Sequence, residues 1–269
     1  MLISLLVLSI SCGKKEQAKK STPIKYTKLS QAEIEIIMDN QELTCGSIDD
    51  GPCPAGVVRL LTLNDKQKEK STVCSGFMVA KNILVTNHHC VSTVAECNDT
   101  YVAIYDGENY VRSKCKSIIK TAEDYEDVKD PSRAIDYSIL EIADDFEGTT
   151  FTLAEKRALP GDSVTAWVVD HIGLDRPKLK SNPLEARITE FHCKVSDQAV
   201  SASIELENCP IIFGNSGSPV VNSDGQIVGV IWGASKPDIN SLTDLSIRRE
   251  VRAEGFVTEM IHFAADILF

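Results

Sequence analysis

Apolar positions fall in short runs separated by turn residues, and most of these runs read as strands. Val57-Val58-Arg59-Leu60-Leu61-Thr62-Leu63 follows Gly56, and Ile83-Leu84-Val85 leads into the pair His88-His89. Ile135 and Tyr137-Ser138-Ile139-Leu140 flank Asp136, and Leu159-Pro160-Gly161-Asp162 marks a turn into a strand over residues 163–169. Two stretches depart from this pattern. Ser30-Gln31-Ala32-Glu33 has the form of a helix capping box, with Ile34, Ile37 and Met38 following at helical spacing, which predicts a short N-terminal helix packed on the domain. Residues 1–10 form an apolar run too short to span a bilayer as a helix, and read as the central region of a signal peptide. The charged segment 65–70 predicts a solvated hairpin tip. The acidic segment 123–130 predicts a loop and lacks the regular ligand spacing of a calcium site.

Composition narrows the function classes. A chain of 269 residues with 43% hydrophobic and 25% charged residues can bury a substantial core. Its net charge of −11 argues against nucleic acid, because little on the surface would neutralise phosphates. No nucleotide or metal motif is present, so no cofactor is expected. Cys74, His88, His89 and Cys90 do not make a zinc site, because adjacent residues on a strand point to opposite faces and finger-like spacing is absent.

The strongest chemical signal is Gly214-Asn215-Ser216-Gly217-Ser218-Pro219. Small, turn-forming residues display Ser216 between Ile211-Ile212-Phe213 and Val220-Val221, where its hydroxyl can reach a substrate. A serine attacks a carbonyl only when a base takes its proton and a third group orients that base. His88 and His89 both compete for the role of base. Asp136 leads directly into an apolar strand, whereas Asp127, Asp130, Asp144 and Asp145 lie in charge-rich, solvated segments. His171, His192 and His262 carry no motif.

Cys74-Ser75-Gly76, Thr86-Asn87-His88-His89-Cys90, Asp136-Tyr137-Ser138-Ile139-Leu140 and Gly214-Asn215-Ser216-Gly217-Ser218-Pro219 stand in the order His, Asp, Ser. Together they resemble the chymotrypsin/trypsin-like serine proteases in a bacterial form. Gly225-Gln226-Ile227-Val228-Gly229-Val230-Ile231-Trp232-Gly233 is similar to the strand beside that family's specificity pocket, and Gly255-Phe256-Val257-Thr258 to the strand before its C-terminal helix, expected over residues 259–268. The resemblance covers residues 56–269 and implies an all-β fold of two six-stranded antiparallel Greek-key barrels with a C-terminal helix. The first barrel would span residues 56–150 and the second 151–269.

The resemblance also assigns roles. It selects His89 as base, because the family's histidine directly precedes the cysteine; Asp136 orients it and Ser216 is the nucleophile of a serine endopeptidase acting on proteins or peptides. The N–H groups of Gly214 and Ser216 would form the oxyanion hole. Asn215 stands where the animal digestive enzymes carry an aspartate that pairs with a newly cut N-terminus, and an amide cannot form that ion pair. Substrate-binding candidates are Pro210, Ile211, Phe213, Ile231, Trp232 and Gly233, with the vicinity of Gly255. Pro210 occupies the position of the trypsin-type aspartate and Val230 that of the histidine of glutamate-specific relatives, so an apolar or small side chain before the scissile bond is expected. Arg248, Arg249, Arg252 and Glu254 lie in a loop that the resemblance does not position. The alternative is a catalytically silent binding module on the same fold.

Nine cysteines are an odd number for an oxidising compartment. Ser9-Ile10-Ser11-Cys12-Gly13 resembles a bacterial lipobox, although Ser9 stands where leucine is usual and no Lys or Arg precedes the apolar run. Assigning Cys12 to lipid leaves eight. The family places a bridge between Cys74 and Cys90, and proximity alone pairs Cys45 with Cys53, Cys97 with Cys115 and Cys193 with Cys209. The chain then divides into a signal peptide (1–11), a polar tether (12–30) and an N-terminal helical extension (31–55) ahead of the barrels. It is expected to be an extracytoplasmic monomer, in the periplasm or at the cell surface, touching membrane only through its lipid.

Overall fold

The structure is a computed structural model and describes residues 41–46, 52–65, 70–122, 135–171, 184–197, 203–234 and 254–267. The expected N-terminal helix, the lipobox, the acidic loop 123–130 and the arginines at 248, 249 and 252 lie outside these residues.

Two closed antiparallel barrels hold the chain together, as the resemblance implied. The first comprises β2 (Val57–Asp65), β3 (Lys70–Ala80), β4 (Ile83–Thr86), β5 (Thr100–Tyr105), β6 (Tyr110–Thr121) and β7 (Ser138–Ile142), and closes in the order β2-β3-β4-β7-β6-β5. The second comprises β8 (Ser163–His171), β9 (Leu184–Val195), β10 (Ser203–Glu207), β11 (Pro219–Val221), β12 (Ile227–Ala234) and β13 (Gly255–Glu259). Its order is β8-β9-β10-β13-β12-β11, closed by the β8–β9 and β11–β8 pairings. Both barrels therefore follow one Greek-key path. No internal repeat shows in the sequence, because this path is written in backbone pairing and strand alternation, which many side chains satisfy.

The expected helical extension contains a strand among its described residues. β1 (Gln41–Cys45) pairs in parallel with residues 184–188 of β9, the part of β9 that β10 leaves unpaired. Leu43 seals the join at 1% exposure, and the Cys45–Cys53 disulfide links β1 to the segment that enters the first barrel.

The apolar strands of the first barrel bury two faces. Val58, Leu60, Met78, Leu84, Val102, Ile104, Leu140 and Ile142 fill its interior. Val57, Phe77, Val85 and Ile139 point outward and join the core of the second barrel. This explains the continuous apolar runs around β2 and β4: a strand buried on both sides loses the inside–outside polar alternation.

Helices are few among the described residues. The helix α1 (Val94–Asn98) begins with a capping box between Thr93 and Glu96 and carries Cys97 to Cys115 on β6. The C-terminal helix expected from residue 259 starts later. Glu259 ends β13, a 3₁₀ turn spans Met260–His262, and α2 (Ala264–Ile267) follows. Phe263 between them is fully buried and packs on Tyr137 at 5.6 Å between ring centroids.

Candidate active site

The first barrel supplies a histidine–carboxylate pair. β4 ends at Thr86, and the chain turns sharply through Asn87 to Val91, closed by Cys90 N and Val91 N donating to Asn87 O at 3.2 Å. His89 leaves this turn with its ring a quarter exposed. The Cys74–Cys90 disulfide pins the turn to β3. Asp136, on the segment entering β7, is fully buried; one carboxylate oxygen accepts from His89 N at 3.2 Å and the other meets His89 Nδ1 at 2.5 Å. An ionised carboxylate can only accept, so the Nδ1 proton is fixed and Nε2 is left as the basic nitrogen.

Asp136 is itself held from both barrels. Asn87 Nδ2 donates to its carbonyl at 2.7 Å, and its N–H donates to Thr258 Oγ1 on β13 at 3.0 Å. Its neighbour Tyr137 donates to Asp266 of α2 at 2.8 Å. The sequence motifs contain Asn87, Thr258 and Tyr137, but nothing in them marks these residues as supports.

The second histidine has a different task. His88 Nδ1 contacts Thr121 Oγ1 at 2.7 Å, Thr121 Oγ1 contacts Ser138 Oγ at 2.8 Å, and Ser138 Oγ donates to Val91 O at 2.7 Å. The carbonyl fixes the direction of the whole relay, so His88 donates from Nδ1 into it. The adjacent histidines thus diverge, and His89 alone meets Asp136.

Ser216 sits on the turn between β10 and β11, half-buried. Asn215 N donates to Ile212 O at 3.1 Å, and Gly214 has φ of 95° at the third position of that turn. Such a turn requires positive φ there, which glycine takes without a steric penalty. Among the described residues, neither the Gly214 N–H nor the Ser216 N–H has a hydrogen-bond partner. The turn crosses to the first barrel, where Ser75 N donates to Ser216 O at 2.7 Å, and Thr86 Oγ1, at the end of the strand delivering His89, donates to Ser75 O at 2.7 Å. Gly217 makes this approach possible: its φ is 91°, and a Cβ there would lie 1.9 Å from Ser75 O. The chain thereby brings the Ser216 turn against the strand ends that carry His89.

Asn215 is fully buried and fully engaged. Its Oδ1 accepts from Ile212 N at 2.9 Å, and its Nδ2 donates to Val169 O at 2.9 Å and to Asp170 Oδ1 at 3.2 Å. The amide ties the turn to the end of β8. Asp170 carried no sequence signal, because its role depends on a contact between distant strands.

The substrate-binding candidates divide. Ile231 is fully buried in the core, and its backbone pairs with Gly217 and Ser218. Pro210 and Ile211 are also buried, and Ile211 lies beside Gly255, where a Cβ would come within 3.1 Å of it. Trp232 is half-buried, stacks on Phe256 at 5.4 Å and donates to Ser203 Oγ at 3.3 Å. Gly233 is half-buried, and Phe213 stands 74% exposed beside Gly214. Nearby on β10, burial pushes the Glu205 carboxyl above the usual glutamate range, and the negative charges of Glu254 and Glu207 push it further.

Four disulfides join the pairs Cys45–Cys53, Cys74–Cys90, Cys97–Cys115 and Cys193–Cys209. They place the protein in an oxidising, extracytoplasmic environment. Donor atoms of Cys74, His89 and Cys90 lie within 4.8 Å of one another, as a metal site would require. The two sulfurs are bonded to each other, so neither is a thiolate ligand.

Solved structures of proteases and of an inactivated protease paralogue align with this chain at low identity. The scabies mite inactivated protease paralogue S-D1 aligns at 17% identity over 79% of this chain and 90% of its own, with a TM-score of 0.54. The serine endoprotease of Yersinia pestis aligns at 16% identity over 80% of this chain and 61% of its own, with a TM-score of 0.50. The active form of the Rv3671c protease from M. tuberculosis aligns at 18% identity over 94% and 92%, with a TM-score of 0.49. The trypsin-like peptidase domain matches residues 74–230, from the cysteine beside the histidine turn to the strand flanking the serine turn. With more than half of its length matched and its two barrels closed, the chain belongs to the trypsin-like peptidase family.

Proposed function

We propose that the protein is an extracytoplasmic serine endopeptidase that hydrolyses peptide bonds through an acyl-enzyme. The observation that carries this reading is the buried Asp136 carboxylate gripping both the backbone N–H and Nδ1 of His89. That grip leaves His89 Nε2 to accept the Ser216 proton as Oγ attacks the scissile carbonyl. The negative oxygen formed in the tetrahedral intermediate is received by the N–H groups of Gly214 and Ser216, whose freedom among the described residues supports the assignment. The protonated His89 gives its proton to the leaving amine. Water, deprotonated by the same imidazole, then cleaves the ester and returns Ser216 to its starting form.

The cleft side of the second barrel favours an apolar or small side chain before the scissile bond. Pro210, Ile211 and Gly255 bring no charge there, and Trp232, Gly233 and Phe213 provide its accessible surfaces. Anchoring at a periplasmic or surface membrane through Cys12 completes the proposal, with mass analysis of the mature N-terminus as its check.

The scabies mite neighbour is described as an inactivated paralogue, which makes a silent binding module the competing reading. A fluorophosphonate probe separates the two. Intact, oxidised protein should be labelled and Ser216→Ala should not; folded protein without serine-dependent labelling would sink the enzyme reading.

A further inference from the structure

Ser75 occupies a point where the β3 ladder loses its partner. Phe77 pairs with Val85 and Met78 with Leu84, but β4 ends at Thr86, before it can face Ser75. The Ser75 N–H, freed from the ladder, donates to Ser216 O at 2.7 Å, and its carbonyl accepts from Thr86 Oγ1. Strand alternation turns the side chain outward: Cys74 faces the interior of the first barrel, while Ser75 and Phe77 face the second. The Ser75 side chain is fully buried there, and its hydroxyl donates to Gly214 O at 2.9 Å.

One residue of the first barrel therefore grips the carbonyls of both Gly214 and Ser216, the two residues of the turn whose N–H groups have no partner among the described residues. Asn215 between them is fixed by Ile212, Val169 and Asp170. The Gly214 end is the softest part of this arrangement, because glycine at φ 95° is the residue with the widest choice of backbone conformation. The Ser75 hydroxyl narrows that choice by holding the Gly214 carbonyl.

We propose that Ser75 is a positioning residue for the oxyanion hole, its hydroxyl setting the Gly214 N–H from across the boundary between barrels. The proposal rests on the endopeptidase reading above. Displacing one donor by about 1 Å costs on the order of a hundredfold in rate, so Ser75→Ala should lower kcat by about ten- to a hundredfold and leave KM unchanged. A peptide boronate, whose tetrahedral adduct presents an oxygen to the same donors, should lose affinity in the same proportion. Ser75→Thr keeps the hydroxyl and should recover most of both.

The measurements are kcat, KM, boronate inhibition and thermal unfolding on the oxidised full chain of wild type, Ser75→Ala, Ser75→Thr and Ser216→Ala. A wild type no more active than Ser216→Ala refutes the endopeptidase reading itself. An active wild type whose kcat and boronate affinity are matched by Ser75→Ala refutes the positioning role alone. A Ser75→Ala protein that no longer unfolds cooperatively, or whose loss lies in KM, or a Ser75→Thr protein that folds as wild type but stays as impaired as the alanine variant, also overturns it.

Discussion

The two halves of the candidate site are held by different means. The His89–Asp136 half is tied largely within the first barrel, by the Cys74–Cys90 disulfide, Asn87 and the bidentate grip on His89, with Thr258 as its brace from the second barrel. The Ser216 half is a loop of the second barrel whose shape is set from elsewhere: by Ser75 across the boundary and by the end of β8 through Asn215. The difference teaches where each half is fragile. Losing the Asp136 carboxylate of the first should impair chemistry with little effect on the fold, whereas altering the second should change the contact between barrels and the chemistry together.

Asp136→Asn gives the largest expected effect and tests the first half alone. The amide is nearly isosteric, but it can present a donor to His89 Nδ1 and so favour the wrong tautomer. A loss of about ten-thousandfold in kcat is expected from the role such a carboxylate plays, while the melting temperature moves by only a few degrees. A collapse of the fold would break the comparison, since it would make the pair a structural strut.

Gly217→Ala tests the second half. Its Cβ would meet Ser75 O at 1.9 Å and Thr86 Oγ1 at 2.6 Å, at a φ of 91° that alanine resists. Neither neighbour is a flexible side-chain end, so the turn must retreat from β3. A destabilisation of about 3 kcal/mol is expected, together with loss of labelling at Ser216. Full activity at lowered stability would show that the contact between barrels does not set the turn.

Asn215→Asp sharpens the same point through charge. The amide donates to Val169 O and to Asp170 Oδ1, and a carboxylate can donate to neither. Two buried carboxyls would face each other, so one must take up a proton or the turn must open. About 2–3 kcal/mol of stability should be lost near neutral pH. The added carboxyl binds its proton more tightly when folded, so the deficit should shrink as pH falls and grow as it rises. Thermal unfolding at two pH values checks the sign; an unchanged protein would mean that the tie to β8 is dispensable.

The legibility of the sequence follows the same division. Ser216, His89 and Asp136 stand in short local motifs, with glycines at the turn, a cysteine beside the histidine and an apolar strand after the acid. The first barrel was readable as strands because β2 and β4 are apolar on both faces. The supports were not readable, since Ser75, Asn215 and Asp170 act through contacts between strands far apart in the chain. β1 was missed for the same reason: a five-residue strand takes its meaning from the unpaired part of β9.

β10 of the second barrel gives the smallest effect and the last contrast, because there carboxylates crowd one another instead of forming a pair with a base. Glu205 on β10 has its carboxyl raised by burial and by Glu254 and Glu207. A raised carboxyl is more comfortable protonated in the folded protein than in the unfolded chain, so its contribution to stability is present at low pH. That contribution is lost as pH rises from the ordinary glutamate range through the folded value. Glu205→Gln is neutral throughout and should therefore exceed wild type in stability at neutral pH. A gain of up to about 0.5 kcal/mol is expected for a partly exposed site, or roughly 1–2 °C in Tm for a chain of this size. The gain should vanish below about pH 3, where the glutamate is protonated in both states. A gain that persists at low pH would trace to packing against the strands and not to Glu254 and Glu207. The absence of any gain would mean that solvent already screens the three carboxylates.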